Sequence, residues 1–204
     1  MATNVISVTT DNRNYITENY VFSLFQTAIN GILERLDIED AKSWQVARMS
    51  QPTIQGLENR TIYFDVISRR RIGTQGVIGE RIADVWNNVA HWYEDWLIQI
   101  SGFKSRTMED TIETLTSADI VSMIQGVFNS APDMQIDFFG NNLGLLGNPR
   151  IKLVKSFDVR IGDYETDSGL KEKMPNFDIS IIVEQYMTRQ TANVDSVEIT
   201  EYRV

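Results

Sequence analysis

HWYEDWLIQISGF, residues 91–103, holds the chain's only histidine, two of its four tryptophans and an adjacent Glu94–Asp95 pair. It reads either as a catalytic site or as the wall of a core, and its periodicity decides. The even positions are Trp92, Glu94, Trp96, Ile98 and Ile100, apolar apart from Glu94. The odd positions are His91, Tyr93, Asp95, Leu97, Gln99 and Ser101, a mixed set. A period of two is that of a β-strand, so the two tryptophans share one face. Glu94 and Asp95 then point to opposite faces and cannot work as a carboxylate pair from one strand. The reading is a wall, with His91 as an ordinary strand-end residue.

The pattern extends in both directions. In NRTIYFDVISRRRIG, residues 59–73, Ile62, Phe64 and Val66 share one parity, and Tyr63, Asp65 and Ile67 the other. Both faces carry apolar weight, which predicts a central strand. The glycine-rich GTQGVIGE that follows predicts a loop. Upstream, Val21, Phe22, Phe25, Ile29, Ile32, Leu33 and Leu36 recur at spacings of three and four, predicting an amphipathic helix over 17–37 with Thr17 as its N-cap. A short strand is expected in KSWQVARMSQP, before Pro52. Downstream, Ser117 would cap a second helix whose stripe is Ile120, Val121, Ile124, Val127 and Phe128. After the loop FFGNNLGLLGNP, Ile151, Leu153, Phe157, Val159 and Ile161 share one parity. In NFDISIIVEQYM, Phe177, Ile179, Ile181, Val183 and Met187 are expected inward. Two alternating runs across the polar GDYETDSGLKEKMP predict a long antiparallel hairpin with one wet face.

The order is helix, strands, helix, strands. Strands joined without intervening helices point to α+β, a mostly antiparallel sheet with the helices packed on one face. The 204 residues read as one domain over 1–204, with an N-terminal arm at 1–16 and a closing strand or arm at 188–204. Hydrophobic residues make up 42% of the chain and aromatics 10%, enough for a core. No apolar run nears the roughly 18 residues that span a bilayer, and the N-terminus lacks the pattern of a signal peptide. No membrane partner is therefore expected.

Chemistry-bearing motifs are sparse. There are no cysteines, which removes disulfides, thiolate nucleophiles and cysteine-ligated zinc. His91 stands alone, where an imidazole metal site wants further ligands. GTQGVIG is neither a P-loop nor a GxGxxG fingerprint. G-x-S-x-G, H-E-x-x-H and EF-hand spacings do not occur. EDTIE and GDYETD read as solvated charge. The expectation is no catalytic residue, no metal and no cofactor. Net charge is −9, the opposite of the basic face that phosphate neutralisation requires. An acidic balance suits a surface past which DNA slides without sticking. Arg69-Arg70-Arg71 is the one basic run. It reads as a solvated strand end or, among the functional readings, as a subunit or partner interface pairing with acidic neighbours, favoured over a nucleic-acid contact. Tyr202 and Arg203 in the closing segment are the other interface candidates.

TIYFDVISRRRIG, then YEDWLIQISGF, a short helix and a hairpin ending PNFDISIIVEQ resemble the neck or tail terminator family of tailed bacteriophages. The carriers are the strand ending in Ser68-Arg69-Arg70-Arg71-Ile72-Gly73, the Tyr93-Glu94-Asp95-Trp96 strand and Pro175-Asn176-Phe177-Asp178-Ile179. The resemblance covers about 17–187. It implies a virion structural subunit, assembled in the host cytoplasm, that forms a ring, usually hexameric. That ring caps the tail tube at its head-proximal end, ends tube growth and joins the neck. Its implied partners are copies of itself, the tail tube protein, a neck or head-completion protein and the sheath where there is one. Genomic DNA passes through the lumen without specific binding. The alternatives are a head-completion adaptor, a sheath-associated cap, or a small α+β hydrolase using carboxylates. The residues fit a ring without the name: a sheet covered on one face offers the other to neighbours, and head-to-tail contacts close if the rotation closes.

Overall fold

The computed structural model describes residues 15–36, 38–49, 59–82, 85–105, 114–130, 150–165 and 171–190. The elements are α1 (Glu18–Arg35), a 3-10 turn (Glu39–Ser43), β1 (Gln45–Arg48), β2 (Thr61–Ile82), β3 (Val85–Phe103), α2 (Ser117–Asn129), β4 (Ile151–Ser156), β5 (Arg160–Glu165) and β6 (Lys171–Gln190). The strands form a six-stranded sheet in the order β1-β2-β3-β6-β4, with β5 also on β6. Only β1 and β2 pair in parallel; the other pairs are antiparallel. The fold is α+β, as the element order predicts.

The spine is β3 against β6. Their register runs without irregularity from Ser101↔Asn176 to Asn87↔Gln190. Trp96, Ile98 and Ile100 on β3 and Phe177, Ile179, Ile181 and Val183 on β6 are fully buried on one face, called inner here. Both helices lie on that face. Phe25 of α1 packs 5.3 Å from Phe64 of β2 and 5.7 Å from Phe128 of α2, which in turn lies 6.4 Å from Phe177. Such rings are worth about 0.5–1.5 kcal/mol each beyond their area burial. Thr17 caps α1 by accepting from the Tyr20 N–H at 3.2 Å. α2 is capped by Thr116, one residue before the expected Ser117. Thr116 forms a reciprocal box with Asp119, whose carboxylate takes the Thr116 N–H at 2.9 Å. A Ser117 cap would forgo that second bond.

The outer strands carry the irregularities. Val66 faces Ile98 and Ser68 faces Leu97, so Ile67 is an extra, exposed residue on β2. A second irregularity lies between Ile72 and Gly76, where Gly73 takes the left-handed φ of 70°. This corrects the loop expected at GTQGVIGE. Gly73 absorbs the distortion, and the strand resumes pairing from Gly76↔His91 to Ile82↔Val85. β2 is therefore 22 residues long, about 70 Å at 3.3 Å per residue. His91 accordingly sits inside β3 rather than at a strand end.

The run expected from Ile151 to Ile161 is broken into β4 and β5. Val154 is extra on β4 between the pairs Leu153↔Ile181 and Lys155↔Ser180, and the alternation slips there. Ile151 stays buried, Leu153 and Val159 pack on the core, but Phe157 and Ile161 are exposed. Met187 is exposed too, although it shares the inner face with Val183. The N-terminal arm and the closing segment lie outside the described residues, apart from Tyr15–Ile16 and 188–190, which belong to the arm and to β6. FFGNNLGLLGNP lies outside them as well.

Gly102 shows how closely α2 sits. A Cβ placed there would lie 2.5 Å from Val121 Cγ2 and 3.3 Å from the Ser117 carbonyl oxygen. Val121 is stiff at χ1 in a helix and cannot swing aside. Gly102→Ala is expected to lower unfolding stability by about 1–3 kcal/mol. Adding Val121→Ala should recover part of that loss in a denaturant-melt double-mutant cycle; full additivity of the two costs would contradict the close approach.

Candidate functional site

The Ile67 bulge sets where the arginines point. In an unbroken ladder Ser68 and Arg70 would face inward. With one extra residue, Arg69 is opposite Trp96 and Arg71 opposite Glu94, both inward, while Arg70 is opposite Asp95 on the outer face. The basic run is thus divided between two surfaces.

On the inner face Glu94 is the centre. Its Oε1 accepts from Trp92 Nε1 at 2.9 Å. Its Oε2 accepts from Trp96 Nε1 at 2.8 Å, from the Arg69 guanidinium at 2.9 Å and from Gln185 Nε2 at 3.4 Å. The Arg69 guanidinium lies 4.1 Å over the Trp96 ring, and that of Arg71 lies 5.0 Å over Trp92. Arg69 also bonds the Tyr15 hydroxyl and pairs with Glu18 at 3.2 Å. Burial alone would push the Glu94 carboxyl up, but the bonds from Trp92, Arg69, Trp96 and Gln185 together hold it below the usual carboxylate range. Gln185 is fully buried and engages the backbone of Ile16 twice. Its Oε1 takes the Ile16 N–H at 2.8 Å, and its Nε2 donates to the Ile16 carbonyl at 3.0 Å. The side chain stands in for a neighbouring strand and fixes the start of the described chain on the sheet.

The outer face carries a second polar line. Glu184 meets His91 Nε2 at 2.9 Å and accepts from the hydroxyls of Tyr186 at 2.8 Å and Tyr93 at 3.3 Å. Burial would raise its carboxyl, yet these donors set it lower, and its charge in turn raises the Tyr93 phenol. Further along, Asp95 takes the Ser180 hydroxyl at 2.9 Å and Arg70 at 3.2 Å. Arg160 pairs with Asp178 at 2.5 Å.

Chemically this arrangement binds and braces. Glu94 and Asp95 lie on opposite faces, and each carboxylate is occupied by donors. Among the described residues, no three or more His, Asp or Glu are placed to hold a metal ion, and no helix is long and apolar enough to cross a membrane. Of the predicted interface residues, Arg69 is satisfied within the chain by Glu94, Tyr15 and Glu18, and Arg71 bonds Gln75 at 3.3 Å. Arg70 keeps 78% of its side chain exposed despite Asp95. Tyr202 and Arg203 lie outside the described residues. Glu94 and Gln185 were not among the site candidates. Their signal was present in the sequence, as the lone polar residue at an inward position between tryptophans and a polar residue continuing the inward series after Val183.

The family model of the E217 gateway protein gp29 matches residues 23–193, from the first turns of α1 to just past the end of β6. The chain belongs to this family. No curated protein matches. The gateway family is a phage head–tail family, so this chain is a phage structural protein of the head–tail connection and a virion component, which is consistent with a neck protein. That agrees with the neck part of the resemblance; the family named is a gateway rather than a terminator.

Replacing Glu94 by Ala leaves the two indole N–H groups without their acceptor in a part-buried site and takes one partner from Arg69, which keeps Tyr15 and Glu18; it should cost about 1–3 kcal/mol in a urea melt. Glu94→Gln keeps the shape and loses the charge. Because the folded-state pKa is depressed, the carboxylate's contribution is full above about pH 4.3 and fades as pH falls through the lower folded value. The stability gap between wild type and Glu94→Gln should therefore narrow below that pH. A gap that stays constant down to pH 2–3 would contradict the charged network.

Proposed function

We propose that the protein forms a closed ring, six-fold in the simplest case, at the head-proximal end of the phage tail tube, where it ends tube growth, joins tail to neck and leaves a lumen for DNA. The observation that carries the head–tail part of this reading is the match to a gateway family over residues 23–193; the tail-end, terminator part rests on the order of elements and the strand motifs quoted in the sequence analysis. The fold supports it. α1 and α2 cover the inner face over its core end, while the outer face and the far end of the β2-β3-β6 ribbon hold Arg70, Ile72, Tyr93 and Ile78 exposed. Heterologous contacts between such surfaces close into rings. The net charge of −9 favours DNA passage over retention. Copies of the protein, the tail tube protein, a neck or head-completion protein and a sheath are the partners this assigns, with assembly in the host cytoplasm.

A second reading within the same class is a separate connector piece, such as a head-completion adaptor or a sheath-associated cap. The gateway name of the family favours it over a terminator in the strict sense. The hydrolase alternative needs two carboxylates converging in a cleft, and the adjacent pair Glu94 and Asp95 diverges.

Native mass spectrometry of the purified protein, with electron imaging after mixing with tail tubes, is the test. A ring that labels one tube end supports the terminator; a ring that binds neck proteins but not tubes supports the connector. A strict monomer that binds neither removes both. Arg70→Glu should fold with an unchanged melting temperature, since exposed pairs contribute about 0–1 kcal/mol, yet shift the ring toward monomer. An unaltered ring would take Arg70 out of the interface.

A further inference from the structure

The ribbon of β2, β3 and β6 has two open edges among the described residues. β1 covers β2 only at Thr61–Phe64, and Met49 N–H adds a bond to the Phe64 carbonyl. From Asp65 onward β2 has β3 on one side alone. On β6, β4 and β5 occupy the outer edge between Lys171 and Val183, and the Arg150 carbonyl takes the Glu184 N–H. From Gln185 to Gln190 β6 has only β3 beside it.

One cross-strand row links these two edges. Val77 pairs with Ala90 and Ala90 with Met187, all on the inner face. Ala90 in the middle is buried, whereas Val77 is 64% and Met187 57% exposed. The same row thus ends in an exposed aliphatic side chain at each open edge, at one height and facing one way. A surface shaped in this fashion is complementary to itself head to tail. Set beside a second copy, the Met187 edge of one protomer meets the Val77 edge of the next without a change of face. β2 and β6 both run antiparallel to β3, so the seam is a parallel strand pair. Unpaired edges with apolar side chains are templates for strand addition.

We propose that a second copy of this chain occupies these edges: β6 around Met187 of one protomer pairs in parallel with β2 around Val77 of its neighbour, so that the sheets join through the oligomer. The proposal rests on the ring reading and names its seam.

The chain's lack of cysteine makes the test clean. Within one protomer Val77 and Met187 are two strand spacings apart, roughly 10 Å, beyond the ~7 Å Cα separation a disulfide tolerates. Only an intermolecular bond is within reach. The full-length Val77→Cys/Met187→Cys variant is oxidised and run on non-reducing gels. It should convert most of the chain into a covalent ladder that ends at the ring size, while either single variant stays monomeric on the gel. Gly79→Cys/Met187→Cys covers a two-residue slip of register on the same face. Circular dichroism confirms that the variants fold. If native mass spectrometry shows a ring and neither double variant forms the ladder, the seam is wrong and the ring stands. Efficient dimer formation by Val77→Cys alone would mean that like edges meet, and would overturn the head-to-tail pairing. A monomeric wild-type protein overturns seam and ring together.

Discussion

The unbroken ladder between β3 and β6 is the constraint on which everything else is hung. Its period of two fixes a dry face from Trp92 to Ile100 and from Phe177 to Gln185, and a wet face of His91, Tyr93, Asp95, Ser180, Asp178 and Glu184. A one-residue slip would exchange the two sets, placing carboxylates under the helices and isoleucines in water. The helices respect this division: α1 and α2 bring Phe25, Ile29, Ile32, Ile124 and Phe128 only to the dry side. Irregularity is confined to the flanks, at Ile67 and Gly73 on β2 and at Val154 on β4, where a bulge disturbs one partner rather than two.

Within that frame, the buried polar groups serve position more than reaction. Glu94 is the one acid among the inward side chains of β3. It is tolerated because two indoles, a guanidinium and an amide donate to it, so none of them is left unpaired. The Ile67 bulge makes this meeting possible by turning Arg69 inward. Gln185 continues the same network to the backbone of Ile16.

Periodicity made the fold class and most of the core legible. Trp92, Trp96, Ile98, Ile100, Phe177, Ile179, Ile181 and Val183 announce their face by parity alone, and α1 by its three-and-four spacing. Bulges are not legible that way. Nothing in VISRRRIG distinguishes an inserted residue from a paired one, so the split of the arginine run came only with register. Gly73 carried a true signal of unusual backbone, but a left-handed residue serves a bulge as readily as a loop. Met187 points inward as its parity predicts and is exposed nonetheless, because parity says which way a side chain points, not whether anything lies above it. The Glu94 site was visible as a polar residue where an apolar one was due; its partners, spread from Tyr15 to Gln185, needed the chain to be folded.

The geometry of the spine also has a mechanical meaning. A force applied along the ribbon would load every pair from Ser101↔Asn176 to Asn87↔Gln190 at once, in shear, because the two strands must slide before any bond is released. A force applied across the end of the ribbon would open the same bonds one after another. Resistance to rupture is set by the unfolding barrier rather than by equilibrium stability, so the molecule is far tougher in one direction than in the other. In a particle whose head is packed with nucleic acid, the orientation of that tough axis is a property on which selection can act.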